Sequence, residues 1–312
     1  MMPARRTQAF EVYVAPARAR SQLWLLGLGL CIVILCHLAW MGLMLGALRL
    51  FAPPGGDLAA TVAHGSSPGS MTVLLFGFVG LAVGAMLAAR LAHGRGVATL
   101  IGPLRRALRD FAAGAGLLLA VYGGVGLAGL IGLVLLGGRP VSDWALPGLD
   151  PWLWLRFLPL ALAGLLIQTG AEELVFRGYL QQQLAARFRS ALVWMVLPSL
   201  LFGLLHHDPA TMGRNAWLMV AATGVFGLIA ADLTARSGTL GMAWGLHFAN
   251  NCLAILIVAP QGDLSGLALW RSTFGMDDTG PFRAMLLADV AVLLAVWLLA
   301  RGWLGRRRAG QD

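Results

Sequence analysis

Three groups of polar residues stand in apolar surroundings where each needs either a partner or a task. The first is Glu172 and Glu173 followed by Arg177, in the run Ala171-Glu-Glu-Leu-Val-Phe-Arg-Gly178. The second is His206, with His207 beside it, closing Phe202-Gly-Leu-Leu-His. The third is His247 with Asn251, in His-Phe-Ala-Asn-Asn. On a helix Glu173 and Arg177 form an i,i+4 pair with the acid first, the favourable order. That pairing keeps Arg177 charged and leaves Glu172, about 100° around the helix, without a local counter-ion. Carboxylates desolvated in this way hold a proton more readily, which is how a glutamate serves as a general base near neutral pH. His247 and Asn251 are also i,i+4, and an imidazole N–H and an amide N–H aimed at one point can form an oxyanion hole. His206, from a different segment, can share a water with Glu172. A base, a second water-positioning group and paired oxyanion donors make up the parts for hydrolysing an acyl bond with activated water.

The segments that carry these residues must be membrane helices. Hydrophobic residues make up 58% of the 312, charged residues 12%, and the mean hydropathy is +0.76. A soluble domain carries roughly 25% charged residues, so this chain uses lipid as part of its solvent. Apolar stretches long enough to cross ~30 Å of hydrocarbon recur at 22–50, 71–92, 112–136, 152–180, 191–207, 215–234, 239–259 and 284–304. The expectation is an all-α polytopic membrane protein of about eight transmembrane helices. Residues 1–21 read as a basic tail, 22–136 as helices without assigned motifs, 150–258 as the catalytic core, and 284–312 as a last helix with its basic tail. The first apolar run is too long for a signal-peptide core and reads as a retained anchor. The stretch from Arg90 to Arg109 reads as a helix lying on the membrane surface.

Every basic residue is Arg, and the net charge is +9. The arginines fall in short clusters between apolar runs, where membrane topology places them, and this argues against nucleic acid as a partner. Arg5, Arg6, Arg18 and Arg20, the group from Arg90 to Arg109, Arg187 with Arg189, Arg236, and Arg301 with Arg306–Arg308 mark one side. The alternate loops hold Arg139, Arg271 and Arg283 but are acidic or neutral in balance, and the first of them, with Pro53, Pro54, Gly55 and Gly56, reads as irregular. Both termini are therefore expected in the cytoplasm. The lysine-free, Ala- and Gly-rich composition looks like a GC-rich bacterium, which makes the inner (plasma) membrane the expected location. Cys31, Cys36 and Cys252 lie in apolar runs, away from metal or disulfide spacing, and read as buried small hydrophobes. Gly-x-x-x-Gly spacings are expected by chance at this glycine content.

Depths estimated from spacing agree only loosely. Glu172 and His206 each lie 17 residues from Arg189, roughly 25 Å along a helix, while His247 is roughly 16 Å beyond Arg236. Bringing the three level requires a tilt or a break in one helix.

Taken in order on three apolar helices, Glu172-Glu173-x-x-x-Arg177, Phe202-x-x-x-His206 and His247-x-x-x-Asn251 resemble the three motifs of the CPBP intramembrane proteases. That family joins type II CAAX prenyl endopeptidases to bacterial bacteriocin-processing and self-immunity (Abi) proteins. The likeness runs over residues 150–258, and the run Glu-Glu-Leu-Val-Phe-Arg-Gly-Tyr-Leu-Gln extends it beyond the minimal motif. The resemblance implies that the helices enclose an intramembrane catalytic cavity, that Glu172 activates water with help from His206, and that His247 and Asn251 stabilise the oxyanion. It also implies that Glu173, Arg177 and Phe202 support the site. No cofactor is expected. The alternative is zinc on Glu172, His206 and His247, a three-ligand set with an open position, although no His-Glu-x-x-His pair pre-forms it. The substrate class is a peptide or membrane protein met in the lipid bilayer.

Two other classes compete. A proton-coupled transporter also uses intramembrane carboxylates and imidazoles, but it commonly shows matched half-repeats, and here the charged cluster occupies one half of the chain. A non-catalytic membrane scaffold could keep the same fold. Each motif alone has an ordinary explanation: an ion pair, an interfacial histidine, a hydrogen bond between helices. His37 and His93 read as structural or interfacial, and His64 as a loop residue.

Overall fold

Asp, Ser and Pro mark several helix starts. Ser67, Asp150 and Asp208 each accept hydrogen bonds from the first free backbone N–H groups of a helix, and each is followed by a proline at the first helical position. The computed structural model describes residues 7–51, 57–135 and 143–309. Arg5, Arg6, Arg139 and the turn Pro53, Pro54, Gly55 and Gly56 lie outside them.

In chain order the helices are α1 (Gln8–Val14), α2 (Leu23–Arg49), α3 (Leu58–His64), α4 (Pro68–Gly77), α5 (Val79–Leu91), α6 (Ala98–Ile101) and α7 (Leu104–Leu135). After strand β1 (Ala145–Pro147) comes α8 (Pro151–Glu173), which runs through a π-helical stretch, Leu174–Gln181, into α9 (Gln182–Arg187). A second π stretch, Leu192–Val196, leads α10 (Leu197–Leu204), followed by α11 (Pro209–Met212) and α12 (Ala216–Ser237). Helix α13 (Gly241–Cys252) ends in a third π stretch, Leu253–Ile257. Strands β2 (Val258–Gln261) and β3 (Trp270–Gly275) precede the last helix, α14 (Pro281–Ala309).

The protein is an all-α polytopic membrane protein. Among the described residues six helical stretches are long and apolar enough to cross a bilayer: Leu23–Arg49, Pro68–Leu91, Leu104–Gly132, Pro151–Arg187, Pro209–Ser237 and Pro281–Arg307. The expected fifth and seventh spans are the shorter apolar helices Leu192–Leu204 and Gly241–Ile257. The fifth is cut short because the chain turns at His206 and His207 before the Asp208 cap. The seventh passes through its π stretch into β2.

Close helix approach depends on glycine where backbones meet. A Cβ on Gly241 or Gly245 would fall 2.0 and 2.1 Å from the carbonyl oxygens of Ala107 and Phe111, so α13 lies directly on α7. Gly80 and Gly84 bring α5 against the backbone of α2 at His37 and Val33 in the same way. These glycines within the spans serve the close helix approach that packing in lipid requires. Helix α14 is fixed by two buried carboxylates. Asp232 accepts from Trp297 Nε1 at 2.9 Å and pairs with Arg236 at 2.8 Å, and Asp110 accepts from Arg307 at 2.7 Å.

Three features depart from the expectation. The basic tail contains α1, whose Phe10, Tyr13 and Val14, with Ala17 in the 3-10 turn that follows, are buried. Those four positions have the i, i+3, i+4, i+7 spacing of an amphipathic helix, which the arginines around them obscured. Phe10 packs 4.9 Å from the Trp194 ring, and Gln182 donates to the Tyr13 carbonyl at 2.6 Å. Second, the loops expected near 145 and at 260–275, with the last two residues of the expected seventh span, form a small sheet ordered β1-β3-β2. In it β1 is antiparallel and β2 parallel to β3. Strands of three to six residues are too short to show an alternating pattern. Third, Cys31 faces outward, while Cys36 and Cys252 are half-buried; all three are free thiols.

Candidate active site

The second half of α8 and the stretch after it form a helix surrounded by protein. Every residue from 168 to 185 is buried, although the run includes Gln168, Thr169, Glu172, Glu173, Arg177 and three consecutive glutamines. A helix this polar cannot face lipid, because each unsatisfied group there costs several kcal/mol, so α5, α10, α12 and α13 enclose it. The π stretch begins at Leu174, immediately after the two glutamates. Such widened turns recur at functional sites, and here the helix continues through the π stretch into α9.

Glu173 lies at the centre of the polar cluster. It is fully buried, and its Oε1 accepts from Arg177 Nη1 at 2.9 Å and lies 2.9 Å from His247 Nδ1. Arg177 donates through Nη2 to the Gly227 carbonyl at 3.3 Å, and its guanidinium carbon lies 4.7 Å from the Phe202 ring centroid and 5.8 Å from that of Phe226. The buried cation is thus matched by one carboxylate, one carbonyl and aromatic faces. A carboxylate can only accept, so Nδ1 of His247 carries the proton and the ring presents Nε2 on its other side. There Nε2 lies 3.4 Å from Glu172 Oε2. Glu172 is buried, and that same oxygen has no hydrogen-bond partner in the protein.

Glu172, Glu173, Arg177 and His247 are therefore brought together, and Phe202 joins them through its contact with Arg177 and a ring distance of 6.1 Å to His247. His206 sits in the turn after α10, half-buried, with Nδ1 donating to the Phe202 carbonyl at 2.8 Å and its ring 4.8 Å from that of Phe202. A carbonyl only accepts, so the neutral His206 ring keeps Nε2 as an acceptor. Asn251 donates through Nδ2 to Gln168 Oε1 at 2.9 Å. An amide nitrogen has two hydrogens, so Asn251 keeps one donor beyond that bond. Gln168 escaped the sequence reading, although it lies one turn before Glu172 and so shares its face. Phe226, 4.8 Å from the His247 ring, and Trp244, whose Nε1 donates to Thr169 at 3.2 Å, escaped it too, since neither type stands out in an apolar run.

Zinc on Glu172, His206 and His247 requires three donor atoms at roughly 2.0–2.2 Å from one point. Glu172 Oε2 and His247 Nε2 face one another as two such donors. Nδ1 of His206 donates to a carbonyl and leaves Nε2 as its possible donor atom, but no group of three or more His, Cys, Asp or Glu residues poised to hold an ion occurs among the described residues. In this arrangement the donor set is incomplete.

An enclosed, polar helix in a polytopic membrane protein, with two glutamates facing a histidine from another helix, defines an intramembrane site. Residues 152–253, which contain every one of these side chains, match the family model of type II CAAX prenyl endopeptidase Rce1-like proteins. Among curated proteins the chain is similar to the uncharacterized protein YyaK of Bacillus subtilis (strain 168), with 31% identity over 114 residues. That alignment covers 36% of this chain and 38% of the length of YyaK. No solved structure matches.

Proposed function

We propose that the protein is an intramembrane endopeptidase that hydrolyses a peptide bond in a peptide or membrane-protein substrate. The observation that carries this reading is the Glu172–His247 pair: 3.4 Å apart, buried, with Glu172 Oε2 accepting no hydrogen bond from the protein. A water held against that oxygen loses its proton to Glu172 as it attacks the substrate carbonyl. His206 orients the same water through its accepting Nε2. The oxygen of the attacked carbonyl gains charge, and His247, when protonated, offers Nε2–H to it, with the second N–H of Asn251 as the other donor. Glu173 holds the far side of the imidazole, Arg177 holds Glu173, and Gln168 holds Asn251. Glu172 then passes its proton to the leaving amine.

We place the protein in a bacterial plasma membrane, with its arginine-rich face and both termini toward the cytoplasm. The test is peptide cleavage by purified protein in liposomes, comparing wild type, Glu172→Ala and His247→Ala with and without a strong chelator. Cleavage lost in both variants but retained with the chelator supports glutamate-activated water. Loss with the chelator and rescue by zinc would replace that mechanism with a metal-dependent one. A folded, inserted Glu172→Ala protein that cleaves at the wild-type rate removes the proposal.

A further inference from the structure

Hydrolysis at a site enclosed by helices needs a supply of water, and one seam in the protein has the polar lining to carry it. Glu173, Arg177 and Gln181 follow one another at four-residue steps along the buried helix and its π stretch. Opposite them, α12 offers carbonyl oxygens at the same step. Gly227 accepts from Arg177 at 3.3 Å, Ala231 accepts from Gln181 Nε2 at 3.0 Å, and Ala235 accepts from the Thr7 hydroxyl at 2.7 Å. Thr7 is the N-cap of α1, at the arginine-rich end of the molecule. The seam therefore runs roughly 12 Å along α12, from the partner of His247 to the end where α1 begins.

Three buried polar atoms on this seam have no protein partner: Glu173 Oε2, Gln181 Oε1 and Thr234 Oγ1. Gln181 and Thr234 are both fully buried. Buried polar groups in native proteins are paired with protein or with ordered water. Thr234 is informative by contrast with other hydroxyls on helices. Thr72, Thr169, Ser199 and Thr223 each donate to the carbonyl four residues back, at 2.7 Å. The Thr234 hydroxyl makes no such bond, although the local alternative is available to any helical threonine.

We infer that this seam is a buried water path, leading from the arginine-rich face past Thr7, Thr234 and Gln181 to the glutamates. The inference rests on the hydrolase reading for its purpose, but its first test does not depend on activity. In a chain whose Cys31, Cys36 and Cys252 are replaced by Ala, Thr234→Cys and Gln181→Cys are exposed to methanethiosulfonate ethylammonium in liposomes. Leu233→Cys, also fully buried but in the apolar cluster, is the control. A thiol reacts as its thiolate, which forms only where water reaches it. The seam thiols are expected to be modified about tenfold faster than the control or more; equal, slow rates at all three positions overturn the path. If a cysteine variant does not fold, Thr234→Val provides the second reading. In a hydrated seam the loss of the hydroxyl lowers Tm by about 2–4 °C. In a dry seam it removes an unpaired polar group and raises Tm, which also overturns the path. Labelled seam thiols in a protein with no Glu172-dependent cleavage would leave the path standing and remove the protease reading.

Discussion

At the scale of single residues, the arrangement resolves which glutamate does what. Sequence spacing pairs Glu173 with Arg177 and leaves Glu172 without a local partner, and the structure keeps that division: Glu173 is hydrogen-bonded on one oxygen by Arg177 and His247, and Glu172 Oε2 accepts no hydrogen bond, lying 3.4 Å from His247 Nε2. Breaking a buried ion pair by removing one partner is costly because a charge is left behind. Arg177→Ala is expected to lower stability by about 3–5 kcal/mol, read as a fall in Tm in detergent, with cleavage lost as His247 loses its fixed partner. The i,i+4 rule made Glu173–Arg177 and the His247–Asn251 face legible in advance. It could not show that Asn251 would turn to Gln168, or that Glu173 would reach across to His247, because both contacts join residues more than seventy positions apart. His206, expected to share a water with Glu172, makes its direct contacts with Phe202 and keeps Nε2 as an acceptor.

At the scale of elements, the depth of His247 is set by how closely α13 lies on α7. Gly245, two residues before His247, leaves no room for a methyl group against the Phe111 carbonyl. Gly245→Ala is expected to cost about 1–3 kcal/mol and to lower cleavage by shifting the imidazole away from Glu172; thermal unfolding and peptide hydrolysis check the two parts separately. The far end of the bundle carries a pH-dependent clasp. His64 lies 2.9 Å from Asp263, and the His64 and Gly65 carbonyls accept from Leu264 and Gly266. The hydrogen bond that His64 donates to Asp263, reinforced by the carboxylate's charge, raises the affinity of His64 for its proton. A raised histidine stabilises its folded contact fully below the ordinary value of about 6.5 and loses that contribution as pH rises through the raised value. The protection factor of the Leu264 and Gly266 amides, with the intrinsic base catalysis of exchange divided out, is therefore expected to fall as pH rises above about 6.5, and Asp263→Asn should abolish that fall. The apolar runs revealed the helices in the sequence, but they did not reveal the sheet or the three π stretches. Those depend on partners brought in by tertiary packing.

At the scale of the whole molecule, the arginine-rich end is a packed layer as well as a topological signal. Phe10, Tyr13 and Val14 are buried beneath the ends of the spans, with Trp194 against Phe10 and the Tyr13 hydroxyl donating to the Leu100 carbonyl at 2.5 Å. Phe10→Ala is expected to cost about 3–5 kcal/mol, a loss visible in thermal unfolding and absent for the exposed Val12→Ala. The enclosed helix has a further consequence, for the order in which the protein can be made. It is the least apolar of the six spanning stretches, and beyond the internal Glu173–Arg177 pair its Gln168, Glu173, Arg177 and Gln181 find their partners on α12 and α13, which are synthesised later. Until those helices arrive, the segment has no dry surroundings in which its charges are matched. It must either linger beside the insertion machinery or pass into the bilayer together with its later neighbours. A nascent chain stopped before Ala216 would hold Glu173 and Arg177 without the carbonyl and imidazole that complete them, and it would be a natural target for membrane quality control.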